Sequence, residues 1–366
     1  MRMNIPWAML LLPATAGADL CPGSAGGPTV GTPGSATCAS ETTATGTRTT
    51  FSLVDDTVLF WNWLDLPAGD ELIFSGSHGV ANRLGPGVTH RIDGKVEGDG
   101  RVGFFADGSD LEINGSVSSG EVVVSGNGLS DSSAFLSGGD YVLEAGPGFR
   151  QITIGGLVKA TRGDVIVAGD VVRVRDSARL QASSGAVRIG AGGRVDVKAS
   201  GRERLETRGG IGILLHLGES RASSLELVAT QEISNAGRMD AAGGFGKVFL
   251  EVGAGGNILN EGTGVILGQT MITGNFDSDG VVLGPDEGDG LAVVNSSVIK
   301  LPALKDPEGR QVSRAREITT DAATAGSADV LRKPAKKKSS RLAANGRKSL
   351  LRRQSFFGMR GGGKRE

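Results

Sequence analysis

Aromatic side chains are scarce in this chain. They make up 4% of 366 residues, with three Trp and a single Tyr, Tyr141. A conventional globular core uses more large rings, so the apolar interior must be built from Val, Ile, Leu and Ala, which suit a narrow, stacked β interior. Cysteine and histidine are rarer still, at two and three residues. The histidines His78, His90 and His216 stand far apart, with no HxH or HExxH spacing, and are expected at surfaces or corners rather than around a metal. No G-x-S-x-G elbow or phosphate-binding loop occurs. No stretch is apolar enough for long enough to cross a bilayer as a helix.

Glycine is what the chain has in excess. Its 60 residues are roughly double the usual share of about 7%, without the every-third-residue spacing of collagen. Many of these glycines punctuate short β-branched strands. Ile92-Asp93-Gly94-Lys95-Val96, Ile113-Asn114-Gly115-Ser116-Val117 and Ile154-Gly155-Gly156-Leu157-Val158 repeat one pattern. Val187-Arg188-Ile189-Gly190 followed by Val195-Asp196-Val197, and Ile258-Leu259-Asn260 followed by Val265-Ile266-Leu267, repeat it again. One such unit cannot bury its own apolar face, but a stack of them can. The beat from about Val80 to Ile299 predicts an all-β solenoid, with glycine and asparagine corners expected to supply positive φ.

The ends differ from this middle. Arg2, the apolar run Ile5 to Leu12 and Ala16-Gly17-Ala18 form a signal-peptide pattern over residues 1–18, with a mature start at Asp19 and export as the expected fate. A Gly/Ser/Thr/Pro-rich leader over 19–48 holds Cys21 and Cys38, which can close a small disulfide loop in an oxidising compartment. Residues 300–330 lose the strand beat and read as a linker. From Leu331 to Glu366 there are 13 Lys+Arg and one acid, leaving 26 bases and 39 acids in 1–330. Such a block self-repels and is expected to be disordered. It could bind an anionic surface by counterion release, whereas nucleic acid does not fit an exported chain.

A further set of residues carries a family resemblance. Trp61-Asn62-Trp63-Leu64-Asp65-Leu66-Pro67-Ala68-Gly69-Asp70-Glu71-Leu72-Ile73-Phe74 resembles the W-x-x-F-N-I-x-x-G-E-x-V-x-F signature of the filamentous haemagglutinin secretion domain. Val80-Ala81-Asn82-Arg83-Leu84, then Ile92 to Val96 and Gly100-Arg101-Val102, is similar to that family's A-x-N-R-V … I-x-G run. Asp131 to Tyr141 is similar to its D-A-D-F-L-A-G-N-Y segment, and Ile233 to Met239 to its I-x-N-x-G-x-I rung. The resemblance spans roughly Thr50 to Leu267. It implies a right-handed parallel β-helix over 49–299 with N-terminal capping strands. It also implies export by an outer-membrane two-partner secretion pore and action at the cell surface in adhesion.

Within it, Trp61, Leu64, Leu66 and Phe74 are expected to seat the cap. Asn82 and Arg83 are expected either to order a turn or to be read by the transporter. The family's Asn-Pro-Asn-Gly turn is replaced by Phe105-Ala106-Asp107-Gly108, where Asp-Gly supplies a different turn pair. The strand beat is expected to stop near Ile299, whereas the family's adhesins often continue for many further repeats.

Enzymatic readings find less support. Asp55-Asp56 and Ser77-His78-Gly79 lie in the capping region rather than on successive rungs. The later rungs are expected to expose Arg173, Arg175, Arg188 and Lys198 with few paired acids, which does not make a glycosidase carboxylate pair. Asn275 to Asp286 has the spacing of a calcium loop but strand-like flanks, so no cofactor or metal is assigned. The expectation is therefore a non-enzymatic exoprotein. The alternatives are an envelope module tethered by its basic tail and a β-helix enzyme acting on polysaccharide.

Overall fold

A computed structural model describes residues 19–24, 26–32, 34–146, 150–201, 203–242 and 246–284, together with the backbone of four short strands between Leu291 and Ser313. The signal-peptide pattern at 1–18 and the basic tail at 331–366 lie outside the described residues, as does most of the linker.

The chain forms a parallel β-helix. Each rung lays one strand on each of three faces in a fixed order, as in Glu71–Ser75, Val80–Leu84 and His90–Ile92, then Lys95–Gly98, Arg101–Ala106 and Leu111–Ile113. Successive rungs pair in parallel register, so Leu59, Asn82 and Phe104 stack on the second of these faces. The three sheets hold 11, 10 and 11 strands. Along each strand alternate residues point inward, as in Val102, Phe104 and Ala106, and the resulting narrow core is one continuous stack, mostly of buried Val, Ile, Leu and Ala with rings such as Trp61 and Phe74 in the first rungs. Rung-on-rung burial of this kind lets each unit close the next.

The repeated Ile-x-Gly pattern marks one corner of the helix. Gly94, Gly115, Gly156 and Gly237 all turn the chain there, and none has positive φ. Their requirement is space. A Cβ on Gly115 would sit 1.9 Å from the Gly94 carbonyl oxygen, and one on Gly156 1.8 Å from that of Gly115. The expectation of positive φ at these corners is therefore replaced by close backbone approach between rungs.

Two excursions leave the helix. Gly128–Leu129, Tyr141–Glu144, Arg194–Val197 and Leu205–Arg208 form a separate antiparallel sheet. It covers the outer side of the face that holds Arg101–Ala106 and Ala186–Ala191, with a second apolar core of Phe105, Val123, Phe135, Tyr141, Ile166 and Val195 between them. Val195-Asp196-Val197, read from sequence as half of a solenoid rung, belongs to this outer sheet.

The leader is not structureless. Thr29–Val30 pairs antiparallel with Thr57–Trp61, and Ala36–Thr42 pairs antiparallel with Thr47–Leu53. A Cys21–Cys38 disulfide ties the segment down and Leu20 is buried at the end of the core. The linker likewise contains an antiparallel pairing of Leu304–Lys305 with Gln311–Ser313.

Candidate functional site

The residues singled out by the resemblance converge on the first rungs. Trp61, Leu64, Leu66 and Phe74 are all buried, and Phe51 packs between the Trp61 and Phe74 rings at centroid distances of 6.3 and 5.8 Å. Asn82 faces inward. Its Oδ1 accepts from Trp61 Nε1 at 3.0 Å and its Nδ2 donates to the Gly103 carbonyl at 3.0 Å. One amide thus joins three consecutive rungs. Arg83, one residue on, faces outward and lies over the Phe60 ring, 5.9 Å from its centroid. Neighbouring positions of one strand therefore have opposite settings: Asn82 is an internal stitch, and Arg83 stands at the surface beside the exposed Phe60 and near the corner that carries Trp63.

His90 completes this unit. The Leu64 amide donates to His90 Nδ1 at 3.1 Å, which leaves Nε2 to donate to the Gly85 carbonyl at 2.8 Å. Burial lowers its pKa, against the opposing pull of the Gly85 carbonyl. His90 and His216 are both fully buried, which corrects the expectation of surface or corner histidines; His78 alone is partly exposed, with Nδ1 3.9 Å from Asp56. The sequence held a signal for the inward setting of His90. It shares a period-two strand with Ile92, and the charged Arg91 falls on the other side.

The third block caps the outer face. Ser132–Ser137 form a short helix, α1, whose N-cap Asp131 accepts from the Ser133 and Ala134 amides and which ends at a left-handed Gly138. Phe135 from α1 meets Phe105 and Tyr141 edge-to-face at 5.0 and 5.5 Å. Burial raises the Tyr141 pKa. Arg101 donates to the Phe135 carbonyl and pairs with Glu121 at 3.0 Å. Beside it runs an open groove lined by Asp56, Gly79, Gly100, Arg101, Glu121 and Arg162. Asp56 accepts there from the Gly79 amide at 2.7 Å.

Later rungs carry polar groups inside. His216 Nδ1 donates to Asn235 Oδ1 at 2.8 Å, Asn235 Nδ2 to Asn260 Oδ1 at 2.7 Å, and Asn260 Nδ2 to Ser278 Oγ at 3.0 Å. His216 Nε2 completes the ladder by accepting from Ser220 Oγ at 2.8 Å. Burial lowers the His216 pKa to about 4, so the neutral Nδ1–H ring is the species that fits.

The expectation of exposed basic residues with few paired acids fails at Arg188, whereas Lys198 is exposed as expected but has a paired acid. Arg188 is buried beneath the outer sheet, where it donates to Asp164 at 2.8 Å and to Glu226. Glu226 also accepts the Arg204 and Leu205 amides. Burial raises the Glu226 pKa, with the Arg188 charge acting against it. Lys198 pairs with Glu206 in the outer sheet.

The calcium-like spacing does not form a loop: Asn275–Ser278 and Val281–Leu283 are strands on two faces of the helix, and Asp286 lies outside the described residues. Among the described residues, no group of three or more His, Cys, Asp or Glu is arranged to hold a metal.

No protein-family model matches the chain, and no curated protein matches it in sequence. Among solved structures it is similar to the HMW1 secretion domain from Haemophilus influenzae, at 14% identity and a TM-score of 0.48, over 75% of this chain and 74% of that one.

Proposed function

We propose that this chain is a secreted, non-enzymatic β-helical exoprotein of the filamentous haemagglutinin type, exported through an outer-membrane two-partner secretion pore and acting at the cell surface in adhesion. The observation that carries the reading is the joining of the three resemblance blocks into one unit. Trp61 of the first block bonds to Asn82 of the second, and Phe105, which follows the second, packs on Phe135 and Tyr141 of the third. Residues whose family pattern is shared are thus those that start the helix and cover its first outer face. A domain that must fold first on emergence needs such a nucleus at its amino end. The non-enzymatic part is supported by His90 and His216, whose ring nitrogens are all engaged in internal hydrogen bonds.

Fractionation of the native host with N-terminal sequencing tests this reading. Recovery outside the outer membrane with Asp19 as first residue is the expected result, and loss of the pore protein should abolish it. Retention in the periplasm would sink the export reading. A second reading, an envelope module held to anionic polymer, is favoured by the charge of the last 36 residues, 13 Lys+Arg against one acid. That protein would be released from envelopes as added salt screens the contacts.

A further inference from the structure

The corner at which the chain departs from the haemagglutinin turn holds a buried guanidinium that makes no hydrogen bond. Arg150 is fully buried, and its Nε, Nη1 and Nη2 have no hydrogen-bond partner. It is the only buried cation in that position among the described residues. A guanidinium keeps its charge in proteins, and burying one without an anion is strongly unfavourable. Its planar fork is matched by the paired oxygens of a carboxylate or phosphate.

The surroundings supply a carboxylate close by. Asp107 begins the Asp107-Gly108 turn, and Gly108 has a φ of +82°. Asp107 and Arg150 flank Gly146: a Cβ there would lie 2.7 Å from Asp107 Oδ1 and 3.9 Å from Arg150 Nη2. Asp107 also reaches the next excursion, where a Cβ on Gly128 would meet its Oδ1 at 2.9 Å. Glycine at 128 and 146 leaves the Asp107 carboxylate room at this corner.

We infer that this corner is an oxyanion site in which Arg150 supplies the fork. The chain's own Asp107 is the first source of the oxyanion, and a free ion of the phosphate class is the second. The site does not depend on the export reading.

Thermal unfolding of the full chain, with inorganic phosphate exchanged for sodium chloride at constant ionic strength, separates the sources. If Asp107 fills the site, the wild type is indifferent to phosphate, while Asp107→Asn melts lower and is restored by it. If a free oxyanion fills it, the wild-type midpoint climbs by about 3 °C toward saturation, and Asp107→Asn responds at least as strongly. Arg150→Met abolishes the response in either case. Should that variant fail to fold, the phosphate response of Asp107→Asn still decides. Phosphate that moves the midpoint of neither the wild type nor Asp107→Asn overturns the inference.

Discussion

Asn82 and Arg83 show how one step along a strand separates structural from surface duty. Removing the Asn82 amide strands the Trp61 indole N–H and the Gly103 carbonyl in the core. Asn82→Ala is therefore expected to cost about 3 kcal/mol in chemical denaturation. Arg83→Ala loses an exposed cation–π contact and should cost less than about 1 kcal/mol. Export that falls in Arg83→Ala while stability holds would point to recognition of the surface residue; unchanged export would remove Arg83 from that role. His216 adds a pH dependence. Its folded pKa of about 4 lies below the unfolded value of 6.5, so the unfolded chain binds the extra proton. The contribution is complete above pH 6.5 and is lost as pH falls toward 4, by about 3 kcal/mol over that window. Denaturation midpoints of wild type and His216→Gln should therefore converge in acid; parallel curves would refute the assignment.

At the scale of elements, the strand beat was legible because inward residues repeat every second position and one corner repeats Ile-x-Gly. Its reason was not legible. Gly115 is demanded by the carbonyl of the rung below, and no local sequence signal distinguishes that from a left-handed turn. Gly115→Ala should cost about 3 kcal/mol. Gly262→Ala, where the added Cβ has nothing within 4 Å, should stay within about 0.5 kcal/mol. Equal effects on the unfolding midpoint would reject the close-approach account. The outer sheet was misread for a related physical reason. Val195-Asp196-Val197 alternates as a solenoid strand does, and only the long-range antiparallel pairing with Tyr141–Glu144 decides which layer receives it. Arg188 was misassigned with it, since its partner Glu226 is 38 residues away.

Across the whole molecule, the parallel β-helix could be read from sequence, while its three faces and the leader's role could not. Polar Gly/Ser/Thr/Pro composition carries no strand signal, yet Ala36–Thr42 finds a full antiparallel partner in Thr47–Leu53. The Cys21–Cys38 bridge spans a separation of 17 residues, a loop whose closure is worth about 3 kcal/mol in the chain-entropy account. Cys21→Ser is expected to lower stability by that order and to expose the leader to limited proteolysis before the helix is cut. A cleavage pattern identical to wild type would argue that the bridge does not hold the cap.

The antiparallel cap also gives the stack a direction. Its first edge is closed by a reversed hairpin, so the edge open to further parallel rungs is the one toward the carboxyl end. For a chain emerging amino-terminus first, every rung laid down is a mould for the one behind it and a stop against sliding back. On the proposed export route, the fold itself would rectify thermal motion at the exit, and the free energy of stacking would serve as the pull.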